Sequence, residues 1–178
     1  MIFFTSDTHF GHKNVIFYNN RPFKTLKEHD EALISNWNKK VSSSDTIYHL
    51  GDFSFKDPYE YKKRLNGNII LINGNHDFRY EKKLFKVFGK TFGYLTINIE
   101  NQEIFLCHYA MRVWNKSHFN SWHFFGHSHG ELKEEWGKSL DVGVDSNNFE
   151  PISFEEVKEI MNKKPDNFDF LEYRKEEK

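Results

Sequence analysis

The chain has 178 residues, a formal net charge of −1 at pH 7 and a mean hydropathy of −0.76. This net charge excludes an overall attraction to nucleic acid, although it does not exclude a local basic groove. The single cysteine, Cys107, excludes an internal disulfide framework and favours a reducing compartment. No basic and apolar leader follows Met1 and no apolar run has membrane-spanning length, so we expect a cytoplasmic protein that does not enter a membrane.

Short runs rich in β-branched and aromatic residues predict the strands. Five of them end directly before a short polar block: residues 2–5, 47–50, 69–72, 104–107 and 122–125. Alternating residues predict a hairpin over 94–107, and a last strand is expected over 140–144. The mixture of these strands with helices indicates the α/β class.

Three predicted helices begin with capping signals, either Ser or Thr followed three residues later by Glu, or Asp followed by Pro. These signals are Thr25 with Glu28, Asp57 with Pro58, and Ser153 with Glu156. A shorter helix is expected over 81–88, whereas residues 15–23 are expected to be irregular. We predict one domain over residues 1–162 and a charged C-terminal tail over 163–178.

The polar blocks after the five strands contain residue types that bind divalent metals. They are Asp7-Thr8-His9, Gly51-Asp52, Gly74-Asn75-His76-Asp77, His108, and Gly126-His127-Ser128-His129. Strand ends are where α/β folds build their sites, and Asp, His and Asn donors suit divalent manganese, iron or zinc. Alternate residues of an extended segment point the same way, so the two outer members of the D-x-H and H-x-H blocks are each expected to face one ion.

The ordered blocks D-x-H, G-D, G-N-H-D, H and G-H-x-H resemble those of the calcineurin-like metallophosphoesterase superfamily, from residue 2 to about residue 145. The resemblance implies a four-layer α/β/β/α sandwich of two mixed β-sheets flanked by helices. It also implies two divalent metal ions per chain, with manganese expected and iron, zinc or nickel as alternatives. The long loop after His108, in place of a cap domain, is similar to that of compact bacterial and phage members.

The resemblance further implies which residues bind the two ions. One ion would be held by Asp7, His9, Asp52 and His129, and the other by Asp52, Asn75, His108 and His127. In this scheme Asp52 bridges the ions, and its charge offsets the repulsion of two cations about 3.5–4 Å apart. A hydroxide that bridges the cations would attack phosphorus, while the cations offset the charge that builds on the phosphoryl oxygens.

His76 is the candidate general acid for the leaving oxygen, because it lies beside the ligand Asn75 without being a ligand itself. In the protein-phosphatase branch of the superfamily, a carboxylate three residues after the G-D block pairs with this histidine. Here that position is Phe55. We therefore expect Asp77 or Asp45 to orient His76, and we do not expect a Ser/Thr protein phosphatase.

Substrate phosphate contacts are expected from His12, Arg21 and Arg112, since arginine matches phosphate with two parallel donors. A structural ion pair is the alternative for each arginine. The predicted reaction is hydrolysis of a phosphodiester or a small phosphomonoester, so the expected partner is a small phosphoester. A nuclease of the same superfamily and, less favoured, a catalytically silent binding scaffold are the alternatives. The sequence specifies neither the natural substrate nor the oligomeric state.

Overall fold

A computed structural model describes residues 1–132 and 136–167 of the chain. The strands of this part are β1 (Ile2–Thr5), β2 (Thr46–His49), β3 (Asn68–Ile72), β4 (Thr91–Phe92), β5 (Tyr94–Ile99), β6 (Gln102–Cys107), β7 (Trp122–Phe125), β8 (Ser139–Asp141) and β9 (Ile152–Ser153). The α-helices are α1 (Lys13–Tyr18), α2 (Leu26–Lys40), α3 (Pro58–Lys62), α4 (Glu81–Phe88) and α5 (Phe154–Met161). Two short 3-10 helices cover Asp77–Tyr80 and Val144–Ser146.

The strands form two mixed sheets with helices around them, which confirms the predicted α/β fold. The first sheet has the order β4-β3-β2-β1-β9, in which β1 to β4 are parallel and β9 is antiparallel to β1. The second sheet has the order β5-β6-β7-β8. Its β5 and β6 are the predicted antiparallel hairpin, and β6, β7 and β8 are parallel.

Large apolar side chains hold the two sheets together. Phe4 of β1 meets Phe124 of β7 edge to face, with ring centroids 4.8 Å apart, and both belong to one buried cluster. Phe3 points to the opposite face of the first sheet, where it packs in a second cluster with Leu33 and Trp37 of α2. Burial of each such side chain contributes about 1.5–3 kcal/mol to stability.

Both sheets present the carboxyl ends of parallel strands at the same edge of the molecule. Ser6, directly after β1, forms a bridge with Gly143, which follows β8. The backbone N–H of Val144 donates to the carbonyl oxygen of Ser6 over 3.1 Å. This bridge joins the two sheets at the end where the polar blocks emerge.

Helix α1 overlaps the stretch predicted to be irregular, so that prediction was wrong over residues 15–18. The helix is six residues long, and His12 at its N-cap makes no capping hydrogen bond through its side chain. Burial of Val15 anchors it instead. The predicted last strand is also shorter than expected, because Val144 begins a 3-10 helix.

The start of the predicted C-terminal tail packs against the loop that follows β6. Asn167 is buried, its backbone N–H donates to the carbonyl of Ser117, and its side-chain amide donates to the carbonyl of Arg112. The rest of that segment, 168–178, lies outside the described residues, and the domain boundary at residue 162 stays a prediction. Among the helices of the described ranges, none is long and apolar enough to cross a membrane. The cytoplasmic location stays a prediction.

Candidate metal centre

The carboxylate of Asp52 lies at the point where several polar blocks meet. Its Oδ2 is 3.5 Å from Nε2 of His9, 3.7 Å from Nε2 of His108 and 3.9 Å from Nε2 of His76. Oδ1 of Asp7 lies 3.8 Å from the same His9 nitrogen. Four blocks, each following a different strand, therefore share one volume.

The fifth block closes this volume from the second sheet. The ring of His129 stacks on the ring of His9 with centroids 5.2 Å apart. The ring of His127 meets that of His108 at 5.1 Å, and the His127 backbone N–H donates to Oδ2 of Asp7 over 2.9 Å. The structure thus brings all seven predicted ligand positions together, whereas their role as ligands stays a prediction.

Two sets of three donors can each hold a cation, with donor atoms within 4.8 Å of one another. The first group consists of Asp7, His9 and His129, and the second group consists of Asp7, Asp52 and His108. Every member except His129 is buried. The two groups share Asp7, so they are neighbouring parts of one cluster.

Unpaired polar atoms show that the cluster fits a divalent cation. Oδ1 of Asp7 and both ring nitrogens of His9 are buried without a hydrogen-bond partner, a costly arrangement for polar atoms. Burial raises the pKa of Asp7 to about 6. Burial and the nearby Arg21 charge hold the pKa of His9 well below its usual range, so its ring is a neutral donor. A cation bound here supplies the missing partner for a carboxylate oxygen and an imidazole nitrogen.

Hydrogen bonds at Nδ1 leave the other nitrogen of two rings available for a metal. Nδ1 of His108 lies 2.7 Å from the carbonyl oxygen of Leu50, which only accepts, so Nδ1 is a ring nitrogen that donates. Nε2 faces the Asn75 amide oxygen at 3.0 Å, so a nitrogen and an oxygen that can both bind a metal lie side by side. Nδ1 of His129 likewise lies 2.6 Å from Oδ2 of Asp145. Such partners commonly fix metal-binding imidazoles.

The loops that carry these donors adopt left-handed backbone angles at non-glycine residues. The residues are Asp7 (φ 58°), His9 (48°), Asp52 (57°), His127 (66°) and His129 (49°). Conformations of this kind cost about 1–3 kcal/mol each. The blocks are therefore not extended as expected. Asp7 and His9 still belong to one donor group, whereas His127 and His129 turn towards different rings, so the expectation that both of them face one ion was wrong.

Two glycines of the blocks permit close approach to the carboxylates. A Cβ atom at Gly74 would overlap the carboxylate of Asp52. A Cβ atom at Gly126 would overlap Oδ2 of Asp7 and Oγ of Ser6. Glycine at these positions lets the backbone pass directly beside both acids.

Comparison with known proteins identifies this arrangement. The family model of the calcineurin-like phosphoesterase superfamily domain matches residues 1–143. The chain belongs to this superfamily. It is therefore a metallophosphoesterase, and its buried Asp and His groups can bind the metal on which the family depends.

Known proteins match most of this phosphoesterase chain. An uncharacterized protein of Methanocaldococcus jannaschii is 35% identical over 173 residues, which cover 91% of this chain and 92% of that protein. A crystal structure of a protein of unknown function from Aquifex aeolicus is 28% identical with a TM-score of 0.71, covering 90% of this chain and 98% of that one. An archaeal phosphodiesterase shares the fold at 21% identity and a TM-score of 0.50, covering 80% of this chain and 81% of that one.

In this phosphoesterase Asp77 links the loops that follow β2 and β3. Its buried carboxylate accepts hydrogen bonds from the backbone N–H groups of Asp52 (2.7 Å), Gly74 (2.8 Å) and Phe53 (3.1 Å). Burial raises the pKa of Asp77 to about 6. The carboxylate therefore fixes the loop after β2 against the loop after β3, and its hydrogen-bond partners are backbone N–H groups.

His76 stands at the edge of the cluster without the carboxylate partner expected for it. Asp77 is engaged by the backbone, and Asp45 accepts hydrogen bonds from Ser42 in the loop before β2, at the far end of that strand. The expectation that either acid orients His76 was wrong. Its side chain is 38% exposed, and its ring lies 4.9 Å from that of Phe55.

The guanidinium of Arg21 is buried and takes part in a structural ion pair. Nε and Nη2 donate to Asp145 over 2.8 and 2.7 Å. Nη2 also donates to the carbonyl of Asp7 (2.7 Å), and Nη1 to the carbonyl of Thr8 (3.3 Å) and Nε2 of His29 (2.7 Å). These contacts contradict the predicted phosphate contact for Arg21. Asp145 was missed because no local pattern marks it: its partner Arg21 is 124 residues away.

The other two predicted substrate residues occupy different surroundings. His12 stacks on Phe55, with ring centroids 3.9 Å apart, and its ring lies 5.5 Å from that of His9. Arg112 is exposed and lies over the ring of Trp136 at 4.7 Å. Contacts of His12 and Arg112 with a substrate stay predictions.

Proposed function

We propose that this metallophosphoesterase hydrolyses a phosphodiester or a small phosphomonoester with two divalent cations bound at the cluster. The observation that carries the proposal is the position of one Asp52 oxygen, 3.5 Å from His9 and 3.7 Å from His108. A carboxylate between imidazoles of the two groups supports our proposal that Asp52 would serve both cations. The first cation is held by Asp7, His9, Asp52 and His129, and the second by Asp52, Asn75, His108 and His127. Manganese is the cation we propose, and iron, zinc or nickel suit the same donors.

The residues around the cations have separate tasks in this reaction. Two divalent cations, when bound, make hydroxide available as the nucleophile near neutral pH and offset the charge on the phosphoryl oxygens. His76 donates a proton to the leaving oxygen from the edge of the cluster. Phe55 packs against the His76 ring, in the position where the protein-phosphatase branch has a carboxylate, which argues against a phosphoprotein substrate. The archaeal phosphodiesterase with the same fold makes a diester the first substrate class to assay.

Hydrolysis of bis(p-nitrophenyl) phosphate tests this proposal. We expect turnover with added Mn²⁺, loss of turnover with a chelator and recovery when Mn²⁺ is returned. Asp52→Asn should reduce turnover by more than the ~10–100-fold typical of residues that only orient a ligand. Asp57→Asn, at the N-cap of α3, is the matched control. Absence of turnover of diesters and monoesters with every divalent cation tried would contradict the proposal.

A second substitution tests the general acid. His76→Ala should lower kcat by about 10²–10⁴-fold while two Mn²⁺ ions remain bound, because His76 belongs to neither proposed ligand set. The loss should shrink for esters with better leaving groups, which need less protonation. An equal loss for all leaving groups would contradict a role in proton donation.

A nuclease is the second candidate, because a local positive surface follows His76. Four exposed cations, Arg79, Lys82, Lys83 and Lys86, form no ion pair within the ranges that the structure describes. Phe78 and Phe85 between them are 61% and 59% exposed. A positive surface with aromatic rings is typical of single-strand nucleic-acid binding. Salt-sensitive cleavage of DNA or RNA oligonucleotides, reduced in a Lys82→Glu, Lys83→Glu double variant that still hydrolyses the aryl diester, would favour the nuclease.

A catalytically silent scaffold is the remaining alternative, and metal content separates it from both enzymes. Fewer than one bound ion per chain after incubation with Mn²⁺ would favour the scaffold.

A further inference from the structure

A buried carboxylate in the 3-10 helix after β8 fixes one ring of the first group. Oδ2 of Asp145 lies 2.6 Å from Nδ1 of His129, and Arg21 donates to both Asp145 oxygens over 2.8 and 2.7 Å. The Asp145 side chain is 7% exposed and that of Arg21 is fully buried. The His129 ring therefore depends on an acid whose charge is balanced by a single two-pronged arginine.

The same arginine holds the loop that follows β1 in the first sheet. Nη2 of Arg21 donates to the carbonyl of Asp7 over 2.7 Å, and Nη1 donates to the carbonyl of Thr8 over 3.3 Å. Asp7 has a left-handed backbone (φ 58°), which persists only where surrounding contacts over-determine it. Arg21 thus contacts, directly or through Asp145, the loops that carry all three members of the first group.

Two residues of helix α2 fix the position of the Arg21 side chain. Nη1 of Arg21 lies 2.7 Å from Nε2 of His29, and Nδ1 of His29 lies 2.8 Å from Oδ1 of Asp30. The Asp30 carboxylate also accepts from the backbone N–H of Gly11 and the hydroxyl of Tyr61. Every donor of the guanidinium therefore has a partner, and Arg21 has little freedom to turn away.

We propose that Arg21 and Asp145 are positioning residues for the cation of the first group. Asp145 fixes the hydrogen of His129 on Nδ1, so that Nε2 is free for the cation. Arg21 balances the charge of Asp145 and holds the Asp7 loop of the other sheet in register with it. This inference rests on the proposed function, since it concerns one of the two proposed cations.

In the proposed ligand set the second cation takes no donor from the Asp7 loop, so it should not depend on this ion pair. Nδ1 of His108 is held by the carbonyl oxygen of Leu50, and neither Arg21 nor Asp145 contacts it. Loss of the Arg21–Asp145 pair should therefore weaken one cation selectively, whereas a purely structural pair would lower stability without distinguishing the two cations.

Calorimetric titration of the metal-stripped full chain with Mn²⁺ tests the inference. We expect two binding events in the wild type. Asp145→Asn should weaken one of them by about 10–100-fold, the range for a residue that orients a ligand, and leave the other unchanged. Arg21→Lys keeps the charge but loses the two-pronged geometry, so it should weaken the same event to a smaller extent.

Asp45→Asn is the matched control for these variants. Asp45 is also a buried carboxylate, but its hydrogen bonds to Ser42 lie in the loop before β2. The control should lower the thermal midpoint and keep both binding events.

Unchanged Mn²⁺ affinities in both Asp145→Asn and Arg21→Lys would overturn the inference, and so would an equal weakening of both events. Arg21→Lys serves the same purpose if Asp145→Asn does not fold. A wild-type chain that binds fewer than two ions would instead overturn the proposed function, and the inference with it.

Discussion

The two halves of the candidate metal centre reach the proposed ligand geometry by different means. His108 and His129 both need an acceptor at Nδ1 so that Nε2 can face a cation. For His108 the acceptor is the backbone carbonyl of Leu50, directly after β2. For His129 it is the side chain of Asp145, which in turn needs Arg21. The His108 half is thus held by a backbone carbonyl, and the His129 half is held by two side chains that are distant in the sequence.

This difference determines how each half responds to substitution. A backbone carbonyl cannot be removed by changing a side chain, so the His108 half should fail only when the backbone is displaced. A buried carboxylate and its arginine can each be replaced. Removal of one partner leaves the other charge buried and unpaired, which is strongly destabilising.

The largest effect is expected from a backbone displacement in the His108 half. Gly74→Ala places a Cβ atom against the Asp52 carboxylate and the Asp52 backbone nitrogen, so we expect loss of both Mn²⁺ binding events. Gly93→Ala is the control, because nothing lies within 4 Å of a Cβ atom there. Its stability should change by no more than ~0.5 kcal/mol. Retention of both binding events in Gly74→Ala would refute the idea that backbone approach builds this half.

A smaller effect is expected from Asp77, whose carboxylate links the loops after β2 and β3. Asp77→Asn turns an amide NH₂ towards backbone N–H groups that now donate to the carboxylate. We expect a loss of about 1–3 kcal/mol in the free energy of unfolding, measured by chemical denaturation. At saturating Mn²⁺ its kcat should stay well above that of His76→Ala. Equal kcat values for the two variants would restore Asp77 as the partner of His76.

The smallest effect at neutral pH concerns His123, which lies on β7 outside both groups. Burial lowers the pKa of His123 to about 4, against an ordinary value of 6.5. Above pH 6.5 the ring is neutral in the folded and unfolded chains, so it contributes no pH dependence. Between pH 6.5 and 4 the unfolded chain takes up a proton that the folded chain does not. Stability therefore falls by up to ~1.4 kcal/mol per pH unit.

Denaturation curves recorded in chelator from pH 7 to pH 4 measure this slope. His123→Gln should flatten it by about one proton relative to the wild type, whatever the stability of the variant at pH 7. An unchanged slope would show that His123 is charged in the folded chain.

Sequence reasoning predicted the elements that carry local signals. The capping box of α5 forms as expected, with Ser153 and Glu156 bonded reciprocally, and Thr25 caps α2 by accepting from Glu28. The shortest strands were not predicted, because the two residues of β4 or β9 cannot show an alternating pattern. Helix α1 was not predicted from the sequence, because it has neither a capping side chain nor an acidic residue in its first turn.

Only the site residues that belong to the sequence motifs could be predicted. Each polar block directly follows a strand or lies in the loop after it, so parallel strands were enough to expect the blocks at one edge. Contacts between distant parts of the chain left no local trace. Arg21 was predicted to bind phosphate because its residue type suits that task, yet Asp145 engages it from 124 residues away.

The bond between His127 and Asp7 spans 120 residues, and this separation has a consequence during translation. A growing polypeptide exposes its first acidic donor long before the last imidazole has been synthesised. A nascent chain that has not yet exposed residue 127 cannot form this bond, so the site cannot assemble until most of the chain has been synthesised. A prematurely terminated product that ends before residue 127 would therefore lack the two histidines that close the site from the second sheet.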